Sequence, residues 1–171
     1  TEIAVYRPTD ASWWVLGGGN AFWGTPGDIP VPGDYDGDGK ADFAVYRPSN
    51  GGWYFTGVDP NLVSNAIWGG LTGDVPVPGD YNGDGKTDVA VYRPSEGAWY
   101  VLGGTNAFWG TPGDVPQPGD YDGDGKTDLA VYRPSSKAWY VLGGVSDFWG
   151  QSGDVPLVLP YAIRRVFFPT L

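Results

Sequence analysis

The residues best placed to do chemistry in this 171-residue chain are aspartates spaced through one nine-residue stretch, 34–42, which returns at 80–88 and 120–128. The first copy reads Asp-Tyr-Asp-Gly-Asp-Gly-Lys-Ala-Asp. Its first, third, fifth and ninth positions are Asp34, Asp36, Asp38 and Asp42. The second copy offers Asp80, Asn82, Asp84 and Asp88, and the third Asp120, Asp122, Asp124 and Asp128. Glycines at the fourth and sixth positions supply the positive φ that a chain folding round a small centre needs. Such a loop is a cage for a hard cation. Oxygen-only donors carrying several negative charges on a short loop suit Ca²⁺ better than zinc, which prefers nitrogen or sulfur, or magnesium, which keeps most of its waters. The seventh residue, Lys40, Lys86 or Lys126, is expected to add its backbone carbonyl while its ammonium points to water. About three calcium ions are expected in all.

An EF-hand loop also begins D-x-D-x-D-G, but it ends in a bidentate Glu at the twelfth position and lies between two helices. Here the twelfth residues are Val45, Val91 and Val131, and each loop runs into Ala-Val-Tyr-Arg-Pro, a β-branched and aromatic run that halts at proline. The ninth-position Asp stands in for the missing Glu. In loop, flanking strand and repetition the sequence resembles the calcium loops of FG-GAP or VCBS-type repeats, the units of integrin-α-like β-propellers, over nearly the whole chain. The resemblance implies that each calcium loop joins the innermost strand of a blade to the second.

The strands that must hold these loops are set out by repetition. The segment 1–8 aligns with 41–48, 87–94 and 127–134, giving four units, 1–40, 41–86, 87–126 and 127–171. The second is longer because 56–64 inserts a polar loop. Each unit contains four short strand-like runs, the size of a propeller blade. The fold expected is therefore all-β, a β-propeller of four blades, each of four antiparallel strands.

Closure follows from where the units fall. The chain opens on the second strand of a blade, and 155–159 occupies the innermost-strand position that follows the fourth unit. Pairing of 155–159 with 3–7 would close the ring through one composite blade and remove exposed edges. The alternative is part of a larger ring, completed by further chain or by a second copy. At that junction the loop has Pro160 where Asp is expected and no acid in 162–165, leaving only Glu2, so a fourth metal site would be degenerate. The tail 166–169 faintly echoes Val-Tyr-Arg-Pro.

Hydrophobic residues at 41% and aromatics at 16% exclude a disordered chain, and the 29 glycines and 16 prolines fall between apolar runs as turn punctuation. The net charge of −10 argues against nucleic acid or an anionic membrane as partner. Its cause is local: 11 of the 20 acids lie in the three loops, and three Ca²⁺ would bring the total to −4. With no cysteine there is neither disulfide nor thiolate, and with no histidine the commonest general base is missing. Calcium loops without a helical clamp need millimolar calcium, which points to an extracellular or cell-surface setting. The start at Thr1 without Met suggests a mature or excised piece of something longer.

Two further series recur. Arg7, Arg47, Arg93 and Arg133 lie in otherwise apolar strands, and Asp28, Asp74, Asp114 and Asp154 lie in Gly-Asp-(Ile/Val)-Pro turns, so a repeated Arg–Asp pair is expected. Tryptophans form the series Trp13, Trp53, Trp99, Trp139 and the series Trp23, Trp68, Trp109, Trp149, with Trp14 where other units have tyrosine. Most are expected to pack between blades. Trp14, Trp23, Trp68, Trp109 and Trp149 are the candidates for ligand binding, as shallow sugar sites in the grooves. Nearly every clustered carboxylate is claimed by metal, which leaves no pair for acid–base catalysis. The expected function is a calcium-stabilised, non-catalytic binding or adhesion module for a glycan or protein. A lectin proper and an accessory domain of a secreted polysaccharide-degrading enzyme or protease are the alternatives.

Overall fold

The computed structural model describes residues 3–56, 65–104, 106–144 and 146–158. Within them every regular element is a strand, and the strands form four antiparallel sheets. The first sheet runs β1 (Ala4–Arg7), β2 (Ser12–Val15) and β3 (Asn20–Phe22). The second contains β4 (Ile29–Pro30), β5 (Phe43–Arg47), β6 (Gly52–Thr56) and β7 (Ala66–Ile67). The third is β8 (Val75–Pro76), β9 (Ala90–Arg93), β10 (Ala98–Val101) and β11 (Ala107–Phe108). The last is β12 (Val115–Pro116), β13 (Ala130–Arg133), β14 (Ala138–Val141) and β15 (Ser146–Phe148). In each the strands lie in chain order, an up-and-down meander of the propeller-blade type.

Sheets and sequence units are offset by one strand. The short inner strand of a blade is the Gly-Asp-(Ile/Val)-Pro segment that ends the preceding unit, and the acidic loop connects it to the long second strand, Ile29 pairing with Tyr46 and Pro30 with Val45. The first sheet accordingly has three strands, and among the described residues β1 pairs only with β2. Residues 155–158 make no strand, so the ring closure expected between 155–159 and 3–7 is not seen among the described residues. Pro160, residues 162–165, the tail 166–169 and Glu2 lie outside them.

The core sits between neighbouring sheets. Tyr46 and Trp53 of the second sheet share a buried cluster with Val89 and Val91, which lead into and lie on β9 of the third. Tyr92 and Trp99 are buried in the same way with Val131 of the fourth. Period-2 alternation puts the buried tryptophan on one face of its strand and Tyr54, Tyr100 or Tyr140 on the other. Each buried tryptophan is tilted against the tyrosine beside it, with centroids 5.2 Å apart for Tyr46–Trp53 and 5.1 Å for Tyr92–Trp99.

Candidate metal loops and the junctions that carry them

Each acidic loop is closed at its base by an isolated bridge, Gly33 with Asp42, Gly79 with Asp88 and Gly119 with Asp128. Inside, the aspartates wrap the backbone about themselves. The Asp34 carboxylate accepts from the amides of Gly37 at 2.7 Å, Asp38 at 3.1 Å and Gly39 at 2.8 Å, and Asp42 accepts from Tyr35 N–H at 2.8 Å. Gly37 and Gly39 stand at φ 82° and 84°, where only glycine is free of strain. The same pattern recurs around Asp80 and Asp120. Beneath the loop the Tyr35, Tyr81 and Tyr121 hydroxyls donate to the carbonyls of Val31, Val77 and Gln117.

The carboxylates converge. Oxygens of Asp34, Asp36 and Asp42 lie within 4.8 Å of one another, as do those of Asp120, Asp122 and Asp124. In the middle loop Asn82 takes the third position, donating to Asp88 at 3.2 Å and accepting from Asp84 N–H at 2.8 Å. Asp80, Asp84 and Asp88 form no such three-acid group among the described residues. Burial pushes the Asp42 carboxyl above its ordinary value, and the nearby charges of Asp36, Asp34 and Asp38 push it further, against the Tyr35 amide. Asp88 is raised likewise by burial and then by Asp84 and Asp80. Crowded, partly buried oxygen donors that disfavour their own ionisation fit a hard cation: the Asp clusters could hold a metal.

The lysines depart from expectation. Lys40 does not simply point to water: its Nζ lies 2.8 Å from Asp38 and partly neutralises that carboxylate. The stems of Lys86 and Lys126 lie across the preceding loops, close enough that a Cβ on Gly37 or Gly83 would come within 3.0 or 2.8 Å of their Cε atoms. Loops are also joined through the backbone, Thr87 N–H donating to the Asp34 carbonyl and Thr127 N–H to the Asp80 carbonyl, each at 2.7 Å. A candidate ligand residue of one loop thus holds the backbone of the next. The threonines sit at the eighth loop position, where the first loop has Ala41, so aligning the copies flags the position without revealing the partner.

The Arg–Asp pairs are found within blades. Arg47 grips Asp28 with two 2.8 Å contacts, Arg93 grips Asp74 at 2.8 and 3.2 Å, and Arg133 grips Asp114 at 2.8 Å twice. These bidentate forks tie the inner strand to the second. Each guanidinium also lies over the ring of Tyr54, Tyr100 or Tyr140, 4.4–4.5 Å from its centroid. Burial alone would push the Asp28 carboxyl up; Arg47 and the Thr25 amide outweigh it and hold it below its usual value, and Arg133 and Thr111 do the same for Asp114.

The tryptophan candidates fall into different settings. Trp23, Trp68 and Trp109 are half-buried, and their indole N–H groups donate to the carbonyls of Tyr54, Tyr100 and Tyr140 in the following sheet at 3.2, 2.9 and 3.1 Å. An indole committed in this way is a fastener between blades. Trp14 lies under the Arg7 guanidinium, 5.0 Å from its centroid, and Trp149 is exposed.

A feature that sequence reasoning missed is a cavity of about 540 Å³ between the third and fourth sheets, lined by Tyr81, Asn82, Asp88, Val101, Leu102 and Leu129 among others. One junction earlier Phe55 packs on Tyr35 with centroids 4.6 Å apart. Val101 stands in its place here, and the smaller side chain leaves room. The Phe-to-Val difference is visible once the units are aligned.

Propeller-type blades joined through acidic loops define a class of repeat protein, and the comparisons give it a family. An FG-GAP-like repeat model matches residues 34–91 and again 80–131, together more than half of the chain. The chain belongs to the FG-GAP-like repeat family. Searches of curated proteins and of solved structures returned no match.

Proposed function

We propose that the chain is a calcium-fastened array of propeller blades serving as a non-catalytic, extracellular or surface module for binding or adhesion. The observation that carries this reading is the linkage of the acidic loops: Asp34 and Asp80 use their carboxylates to shape a loop and their carbonyls to hold the next. Asp34, Asp36, Asp38 and Asp42, their counterparts in the other two loops and the carbonyls of Lys40, Lys86 and Lys126 would hold the ions. Calcium would offset the several negative charges that crowd each loop, and so fix both strands that leave it. No nucleic-acid partner or membrane insertion is expected; among the described residues no helix is long and apolar enough to cross a membrane. Asp120→Ala should lower the melting temperature in calcium and leave it nearly unchanged in EGTA. Equal losses in both would remove calcium from the account.

A second reading is a lectin-like role, and the cavity beside Asn82 and Asp88 favours it. Its polar rim and apolar floor of Val101 and Leu129 suit a small polyhydroxylated ligand. Saturation-transfer NMR with a panel of monosaccharides tests it. Signal lost in Val101→Phe, which fills the cavity, would support the site, whereas signal unaffected by that change would locate sugar elsewhere.

A further inference from the structure

Resting on the blade-array reading, we propose that the first and last sheets are the two halves of one more junction, and that a second copy of the chain completes it. Residues 154–158 of one copy would add the fourth strand to β1 of the next. Three internal junctions show what such a contact requires, and each requirement is left half-made at both ends of the chain.

The first requirement is a valine plug. Val45, Val91 and Val131 are 0, 0 and 1% exposed, each driven against the sheet before it. Their methyls come so near that a Cβ on Gly24 or Gly69 would lie 3.2 or 2.9 Å from Val45 or Val91. The equivalent residue on β1 is Val5, which is 61% exposed, with Ile3 beside it also exposed. At the opposite end lies a matching socket, a cavity of about 260 Å³ lined by Tyr132, Trp139, Trp149, Gly150 and Asp154. Tyr132 and Trp139 repeat Tyr92 and Trp99, which share a buried cluster with Val131 one junction earlier, and Gly150 lies against Tyr132 as Gly110 lies against Tyr92.

The second requirement is the inner strand with its clamp. Val155 and Pro156 repeat Ile29 and Pro30, whose register against Tyr46 and Val45 would set them opposite Tyr6 and Val5. Leu157 would then donate its N–H to the Ala4 carbonyl, as Val31 does to Ala44, Val77 to Ala90 and Gln117 to Ala130. Leu157 is 72% exposed where Val31 and Val77 are 4%. Asp154 already accepts the Gln151 amide at 2.8 Å, just as Asp28 accepts that of Thr25, and among the described residues no arginine fork meets it. Arg7, the fork that corresponds, lies over Trp14 and meets Asp10 at 3.6 Å near the surface. The third requirement is the indole fastener: Trp149, 77% exposed, would reach the Trp14 carbonyl as Trp109 reaches that of Tyr140.

Plug and socket, strand and edge, carboxylate and guanidinium are open in the same folded chain, so each is available to a different neighbour. The junction is head-to-tail, with different residues on its two sides, and it repeats a contact set that the protein has already built three times. It also covers an unpaired sheet edge, a standing liability for an isolated blade.

Sedimentation velocity and light scattering on the whole chain in calcium test this. The wild type should associate with rising concentration to at least twice its 18.3 kDa. Arg7→Asp and Asp154→Arg should each be monomeric alone, because one sets two carboxylates and the other two guanidinium groups face to face. Mixed, they should associate again, since every junction then pairs unlike charges. A wild type that stays monomeric overturns the proposal. If in that monomer the Arg7→Asp/Asp154→Arg double variant also regains the melting temperature lost in the single variants, the chain's own ends join instead. Single variants that associate as well as the wild type would overturn it too, by assigning association to another surface. Melts of the same samples in calcium and EGTA report separately on the loops, so failure of the junction is distinguishable from failure of the metal reading.

Discussion

Two sets of aspartates recur through this chain with opposite electrostatic settings. Asp28, Asp74 and Asp114 are buried, and each faces an arginine nineteen residues on, in the same blade. The loop aspartates crowd against one another, with Lys40 on Asp38 and the stems of Lys86 and Lys126 across the preceding loops. The arginines match the first set one to one, whereas the loop set is crowded with carboxylates and, on the proposed reading, takes a cation from solution. The arginine clamps should therefore stabilise the fold with or without calcium, whereas on the proposed reading the loops should stabilise it only when a cation is bound.

The largest effect should come from stripping calcium. With dissociation constants in the range typical of extracellular modules and calcium at ten- to a hundredfold excess, mass action gives about 1.4–2.7 kcal/mol per ion, so about 4–8 kcal/mol over three. Thermal melts in calcium and in EGTA should differ accordingly, and superposable melts would erase the contrast. Next is Arg93→Ala, which leaves the Asp74 carboxylate buried and unpaired; about 3 kcal/mol should be lost, equally with and without calcium. A calcium-dependent loss would mean that clamp and loop act as one unit.

Asp42→Asn sharpens the comparison through its sign. The amide can still accept from Tyr35 N–H, but it removes one of the crowded charges. The melting temperature at neutral pH should rise in EGTA and fall in calcium, whereas Asp28→Asn should lower it in both. The pH dependence without calcium separates the two sets again. Asp28 and Asp114 have carboxyls held below their ordinary 3.8, so their stabilisation is full above that value and lost as pH falls through the lower folded value. Asp42 and Asp88 are raised, so the metal-free fold binds their protons more tightly than the unfolded chain does and weakens as pH rises through the raised values. A calcium-free stability maximum on the acid side of neutrality is expected, moving to higher pH when calcium is added. The smallest expected effect is from Phe55→Val, which should cost about 1–2 kcal/mol by opening at Tyr35 a cavity like that at Tyr81.

Much of this was legible in the sequence because the repeats report on one another. Ala-Val-Tyr-Arg-Pro four times, each before a turn and a second aromatic strand, suffices to read the meander, and a recurrent buried-strand arginine calls for the recurrent Asp28 series. Strand periodicity also separates Trp53 from Tyr54. What it does not reveal is which tryptophan series meets solvent, since alternation assigns two faces but not the neighbour that covers each. Trp23, Trp68 and Trp109 are covered because the next sheet offers a tyrosine carbonyl to the indole, a contact across more than thirty residues. Lys40 and Lys86 hold the same loop position yet one turns to its own Asp38 and the other lies over Gly37. Lys40 has no described loop before its own to lie across, and that context is tertiary.

On the proposed reading, a cation held by the loop aspartates fastens the blades. Calorimetric titration of chelated protein with calcium, read beside melts of the same samples, tests it most directly. About three equivalents with a large rise in melting temperature are predicted. Little binding, or binding that leaves the melting temperature where it was, would contradict the account.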